Sequence, residues 1–140
     1  MKERFKDWER PVFDDRGMTR WNWMCQHHQN LKLGKNVDIG AFSYLNAKEG
    51  IQIDDEVQIG SHCSISTVST IDDKEGPVHL GKNCRIGTHT VIMPGVTVGE
   101  NSVIGAFSFV NTDIPKDSIA YGVPARVIKG KKAKRSKEGQ

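Results

Sequence analysis

No stretch of this chain approaches the ~18 consecutive apolar residues that a membrane span needs. The opening Met-Lys-Glu-Arg also offers none of the apolar core that a secretory leader carries. Those two absences predict a soluble, cytoplasmic protein without a membrane span. Cysteine is scarce as well: Cys25, Cys63 and Cys84 form no Cys-x-x-Cys pair, which excludes a disulfide framework and a zinc knuckle as the basis of the fold. Net positive charge is missing from the body of the chain. The formal charge is +3, yet residues 129–140 alone hold +5, leaving the rest at −2. A nucleic-acid-binding domain would carry its charge on a folded face, among aromatic platforms. Here it sits in a Gly- and Lys-rich end that reads as a solvated, disordered tail, so no nucleic-acid partner is expected. At 140 residues there is room for one domain and one core.

Helical periodicity is lacking too, and a different period stands in its place. An aliphatic residue recurs every six positions at Leu80, Ile86, Ile92, Val98, Ile104 and Val110. Glycine follows it at Gly81, Gly87, Gly99 and Gly105, and a small or β-branched residue falls four places on at Cys84, Thr90, Val96, Ser102 and Ser108. No helix of 3.6 residues per turn keeps a six-residue period on one face for this long. The first half repeats the pattern at Leu33, Ile39 and Leu45, then, after a two-residue insertion, at Ile53, Ile59 and Ile65. Val37, Ser43, Val57, Cys63 and Ser69 take its fourth-on places.

A hexad that supplies one short strand and one corner closes a triangular coil in three repeats, so successive coils stack as a parallel solenoid. The repeat therefore predicts an all-β chain, a left-handed parallel β-helix of hexapeptide repeats. Coils are expected at 33–52, 53–70, 80–97 and 98–115. The aliphatic positions fill the interior. The fourth-on positions point into a narrower part of the triangle, which makes Cys63 and Cys84 packed, inert thiols. The glycines are expected at corners, where unusual backbone geometry and close coil stacking exclude a side chain. Residues 71–79 break the period and are expected to leave the solenoid as a loop, where function concentrates. Residues 1–30 lack the hexad. Their Trp8, Trp21 and Trp23, the last two spaced for one face of an extended segment, suit a cap over the open first coil. The domain reading is thus a cap at 1–30, a β-helix at 31–128 and a basic tail at 129–140.

Stacking also aligns residues far apart in the chain. The third-on residues of the middle hexads are Phe42, His62, His89 and Phe107, predicted to form one outward column. An aromatic stripe of this kind belongs at or beside a subunit interface, and a solenoid with three flat faces assembles readily about a threefold axis. His62 and His89 are candidate catalytic groups, or else polar caps on that edge. His27, His28 and His79 read as surface residues.

The run from Ile86 to Pro115, followed by Gly122-Val-Pro-Ala-Arg-Val-Ile-Lys129, resembles the hexapeptide-repeat acetyltransferases of the galactoside and maltose type. The resemblance covers residues 33–130. It implies a homotrimer that holds acetyl-CoA in the groove between neighbouring β-helices. It also implies cofactor contacts: Thr88 and Ala106 through backbone amides along the pantetheine arm, Asn111 nearby, and Arg126 and Lys129 near the nucleotide phosphates. Evenly spaced amide donors for the arm and cations for the phosphates are what that ligand requires. Two positions depart from the family pattern. Thr70 stands where the family's catalytic histidine is expected, and a threonine hydroxyl is no general base near neutral pH. Arg85 stands where many relatives carry tryptophan in the wall of the donor channel.

Two replacements for the base are open. His62 resembles a position where relatives place an acceptor-touching asparagine, and an imidazole suits deprotonation of an attacking hydroxyl. Alternatively the acceptor is an amine, oriented in the acceptor site around Thr70 by Asp72 or Asp73. In either case the Thr88 backbone N–H is a candidate donor to the thioester oxygen as it becomes negative. The expected activity is acetyl transfer from acetyl-CoA to a hydroxyl or amine of a sugar or nucleotide-linked sugar, in surface polysaccharide synthesis, with no metal. The other readings are a non-catalytic β-helix scaffold and a γ-type carbonic anhydrase. The latter requires a pair of histidines five apart, which this chain lacks.

Overall fold

A computed structural model describes residues 3–130. The six-residue period becomes a left-handed parallel β-helix with three faces. The first face stacks Met24–Gln26, Tyr44–Asn46, Ser64–Ser66, Val91–Ile92 and Phe109–Val110. Leu31–Leu33, Ile51–Ile53, Val78–Leu80 and Thr97–Val98 form the second. Asp38–Ile39, Gln58–Ile59, Arg85–Ile86, Val103–Ile104 and Ser118–Gly122 form the third, and Ala125–Gly130 returns antiparallel along its end. Among the described residues no helix is long and apolar enough to cross a membrane.

The register shows why the hexad works. Cys25, Leu45, Ile65, Ile92 and Val110 stack in one interior column. Ile39, Ile59, Ile86, Ile104 and Ala120 stack in another. Every one of these side chains is buried. The fourth-on residues Val37, Ser43, Val57, Cys63, Cys84, Thr90, Val96, Ser102 and Ser108 are buried as well. Their hydroxyls turn to the corners: Ser43 donates to the Gly60 carbonyl at 2.9 Å, Thr90 to that of Gly105 at 3.2 Å and Ser102 to that of Pro115 at 2.6 Å. A hydroxyl in the narrow part of the triangle thus satisfies its own burial cost. Ser69, also expected at a fourth-on place, is only half-buried, because the chain has left the coil by then.

Two boundaries differ from the expectation. The solenoid begins at Met24, since Met24–Gln26 pairs in parallel with Tyr44–Asn46. Cys25 fills the aliphatic position there, a smaller side chain than Leu45, Ile65 and Ile92 in the same column. Residues ahead of this strand pack against the first coil. Phe5 is buried, the Trp8 indole N–H donates to the Val37 carbonyl at 2.7 Å, and an Arg10 N–H reaches that of Leu33 at 2.7 Å. Trp23 is buried in the core and Trp21 packs against it. They do not share an extended face, because Asn22 between them is left-handed (φ 66°). At the far end Lys129 and Gly130 lie in the last strand, and residues 131–140, the bulk of the expected basic tail, fall outside the described residues.

Most glycines of the coils share one role. The left-handed corner positions belong to Phe42, His62, His89 and Phe107, and at the next corner to Asn36, Glu56, Asn83, Asn101 and Asp117. Glycine stands two residues earlier at most of these corners, for close approach, whereas Asp54 and Pro115 precede Glu56 and Asp117. A Cβ on Gly87 would stand 2.5 Å from the Ala106 backbone nitrogen, and one on Gly60 2.7 Å from that of Thr88. Because the obstacle is backbone of the next coil, Gly87→Ala is expected to cost about 1–3 kcal/mol, read as a lower urea midpoint at unchanged m. An unchanged midpoint would show that the coils can separate at no cost.

Candidate functional site

The corner between the third and first faces gathers the candidate catalytic histidines. Stacked coils are about 4.8 Å apart, which is also a good spacing for flat rings. Phe42, His62, His89 and Phe107 each project from a left-handed residue at this corner and form a continuous ladder. Ring centroids lie 5.2 Å apart for Phe42 and His62, 4.7 Å for His62 and His89, and 4.8 Å for His89 and Phe107. The two imidazoles are parallel within 5°. All four residues are exposed, and Phe42 and Phe107 each keep 65% of their surface.

Behind the rings runs a chain of polar contacts. His62 Nδ1 lies 3.1 Å from Ser61 Oγ, Ser61 Oγ 3.1 Å from Thr88 Oγ1, and Thr88 Oγ1 2.9 Å from His89 Nδ1. The Thr88 hydroxyl also lies 2.9 Å from the Ser61 carbonyl oxygen. Ser61 escapes a reading of the chain, because a lone serine after Gly60 carries no motif. The signal that could find it is register: Ser61 and Thr88 each follow the glycine of their hexad and so stack in one column.

The same corner offers free donors. Among the described residues none accepts a hydrogen bond from the backbone N–H of Thr88 or Ala106. Those amides sit directly over Gly60 and Gly87, where the coils approach closely. Arg85 is exposed on the adjoining third face, paired in register with Gln58 and Val103. It lines a shallow depression of about 250 Å³ that also includes Gly60 and Gly87. Arg126 is exposed on the returning strand at the end of this face and donates to the Ala125 carbonyl at 3.0 Å. Lys129 belongs to the same strand. Asn111 is exposed at the corner between the first and second faces, away from this group.

That second corner also bears the excursion from the solenoid, which starts and ends earlier than the broken period suggests. Val68–Ser69 and Lys74–Glu75 form a small antiparallel hairpin, closed where Gly76 N–H donates to the Thr67 carbonyl at 3.0 Å. The expected loop of 71–79 is thus corrected to 68–76. Val78–Leu80 already pairs with Ile51–Ile53, because buried Val78 and Leu80 fill the interior. Thr70, Asp72 and Asp73 are exposed on this hairpin. The Ser69 hydroxyl donates to Asp72, and Lys74 stands 3.7 Å from it. The Ser69 hydrogen bond, helped by the Lys74 charge, holds the Asp72 carboxyl below the usual carboxylate range. It stays anionic and can orient a cationic or polar acceptor. Within one chain, strand Ser64–Ser66 separates this hairpin from the histidines, so they occupy different corners of the coil.

The remaining histidines and the thiols have structural surroundings. His28 stacks on Phe13 at 4.7 Å, and His79 Nε2 lies 2.8 Å from Asp54 Oδ2 on the second face. Cys25, Cys63 and Cys84 are buried and unpaired by disulfides. Burial pushes the Cys25 and Cys84 thiols up to about 12 and raises that of Cys63 as well. A thiol-selective reagent at mildly alkaline pH is therefore expected to label none of the three until the chain is unfolded. Rapid labelling of the native protein would contradict the packing. The same shift has a stability consequence. The folded Cys25 and Cys84 keep their protons above the 9.0 of a free thiol, so raising the pH from 9.0 towards about 12 favours the unfolded chain.

A triangular parallel solenoid of six-residue repeats, with free amides and paired imidazoles on one edge, defines a recognisable class of protein. Residues 77–112 match the family described as bacterial transferase hexapeptide (six repeats). The chain is 41% identical over 111 residues to the galactoside O-acetyltransferase of Escherichia coli (strain K12), covering 69% of this chain and 55% of that protein. It is also similar to a maltose O-acetyltransferase from Clostridium difficile 630, at 33% identity and a TM-score of 0.65, over 78% of this chain and 63% of that one. A galactoside acetyltransferase in complex with coenzyme A superposes with a TM-score of 0.73 at 31% identity, over 81% of this chain and 61% of that one. Along its coils the chain is similar to the hexapeptide-repeat acetyltransferases and shares their solenoid fold. It spans about half the length of the curated relatives it matches.

Proposed function

We propose that this protein transfers an acetyl group from acetyl-CoA to a hydroxyl or amino group of a sugar or nucleotide-linked sugar, in the synthesis of a surface polysaccharide, as a homotrimer. The observation that carries the reading is the pairing of His62 and His89 with the unpartnered amides of Thr88 and Ala106 at one corner. The galactoside and maltose enzymes among its relatives support a sugar acceptor.

The donor lies along this corner. Its pantetheine arm meets the Ala106 backbone N–H, and its phosphate end points along the third face to Arg126 and Lys129, past Arg85. His62 takes the proton of an attacking hydroxyl, while the Thr88 N–H faces the thioester oxygen as it gains charge. A threefold assembly brings the neighbour's 68–76 hairpin and Asn111 to the ladder, so Thr70, Asp72 and Asp73 meet the acceptor from the adjacent chain. The anionic Asp72 favours an acceptor with an amino group on that side.

Purified protein with acetyl-CoA and a panel of amino- and hydroxy-sugars is expected to release free thiol, and sedimentation is expected to give three chains per particle. Absence of turnover across the panel, with no coenzyme A binding by calorimetry, would sink the reading in favour of a non-catalytic scaffold. Stoichiometric zinc in the purified protein would favour the carbonic anhydrase alternative.

A further inference from the structure

The polar atoms behind the histidine pair admit one self-consistent set of protons. Thr88 Oγ1 lies 2.9 Å from the Ser61 carbonyl oxygen, and a carbonyl only accepts, so the Thr88 hydroxyl proton is directed there. With that proton committed, the 3.1 Å contact between Ser61 Oγ and Thr88 Oγ1 requires Ser61 to donate. The Ser61 proton is then used in turn, and the 3.1 Å contact with His62 requires an N–H on His62 Nδ1. By the same count, the 2.9 Å contact between Thr88 Oγ1 and His89 requires an N–H on His89 Nδ1. Thr88 now donates once and accepts twice, the full capacity of a hydroxyl. The Ser61 carbonyl is filled as well, since the His89 backbone N–H donates to it at 3.1 Å.

A neutral imidazole carries one N–H, so both Nε2 atoms are left with lone pairs on the ring edges away from the corner backbone. We propose that Ser61 and Thr88 are positioning residues that lock His62 and His89 in the Nδ1–H tautomer, the minority form of a free histidine in water. The stacked pair thereby presents two proton acceptors to the substrate groove. The catalytic meaning rests on the acetyl-transfer reading, whereas the tautomers belong to the resting protein. In the reaction, the acceptor O–H bond breaks as its proton passes to His62 Nε2, and the oxygen bonds to the acetyl carbonyl carbon. When the C–S bond then breaks, the sulfur takes that proton back, leaving ester and coenzyme A thiol. The His62 Nδ1–H stays on Ser61 Oγ throughout and steadies the ring that becomes charged.

The test is long-range 1H–15N NMR of protein labelled at histidine, at a pH where the rings are neutral, with signals assigned by His→Gln variants. His62 and His89 are expected to show a pyrrole-type Nδ1 and a pyridine-type Nε2. In Ser61→Ala, His62 is expected to revert to Nε2–H while His89 keeps Nδ1–H, and Ser61→Thr is expected to restore His62. Thr88→Val is expected to release His89. An Nε2–H form of either ring in the unaltered protein overturns the proposal, as does an Nδ1–H on His62 that survives Ser61→Ala. In the thiol-release assay Ser61→Ala is expected to lower kcat about tenfold at unchanged KM for acetyl-CoA, with Ser61→Thr recovering it. A normal kcat in Ser61→Ala overturns the positioning role. Failure of the acetyl-transfer reading is told apart, because it silences thiol release in the unaltered protein and leaves the tautomer signals in place.

Discussion

His62→Ala is expected to lower kcat for acetyl transfer by roughly a hundredfold or more, the range typical of a lost general base. KM for acetyl-CoA should barely move. In the proposed arrangement the donor is held by the Thr88 and Ala106 amides and by cations on the third face, whereas the His62 ring bonds to Ser61 Oγ. His89→Ala should cost less. It removes the parallel ring 4.7 Å away and the third partner of the Thr88 hydroxyl, but leaves His62 its bond to Ser61. Steady-state kinetics with the best acceptor of the panel decide the matter. An unchanged kcat in His62→Ala removes this residue as the base and moves the mechanism to an amine acceptor oriented by the hairpin carboxylates.

The largest stability effect is expected at Ile65→Ala, with a loss of about 2–5 kcal/mol by analogy with other large-to-small core changes. Ile65 has no exposed surface and is stacked between Leu45 and Ile92 in the column of the first face. A strand of three residues above and a strand of two below fix its neighbours through backbone pairing, so the coil has little freedom to collapse into the cavity. Since native domains are stable by only about 5–15 kcal/mol, such a loss is a large share of the total. Urea unfolding at equilibrium measures it. A cost below that of Gly87→Ala would mean that coil spacing, rather than interior filling, dominates stability.

Much of this architecture is written openly in the chain. The aliphatic hexad from Leu33 to Val110 reports which residues face inward, because a period of six on a flat-sided coil has only one interior solution. The ladder of Phe42, His62, His89 and Phe107 follows from the same count. Where the count fails, the reason is local. Cys25 opens the solenoid with a smaller side chain than Leu45, Ile65 and Ile92 in the same column. The excursion is misplaced because Ser69 fits the fourth-on pattern yet already pairs with Lys74 in the hairpin, while Val78, just outside the expected hexad, is buried. Ser61 becomes visible only when two coils are laid over one another, since its partner Thr88 lies 27 residues away in the chain. Asn111 and the hairpin share a corner that a single chain keeps apart from the histidines, and linear spacing carries no information about a neighbouring copy.

The returning strand Ala125–Gly130 has a meaning beyond closing the third face. Stacked parallel coils form, in principle, an endless ladder, and each exposed end is a template on which another copy could grow. Here the last parallel strand, Ser118–Gly122, is paired on its outer side with a strand of opposite direction. Ser102 and Ser108 pin this ending from inside, accepting the backbone N–H groups of Ser118 at 3.2 Å and Gly122 at 3.1 Å. A newcomer would find the wrong polarity, much as a growing polymer meets a chain terminator. The antiparallel pair thus blocks growth of the third face by addition of a further parallel strand.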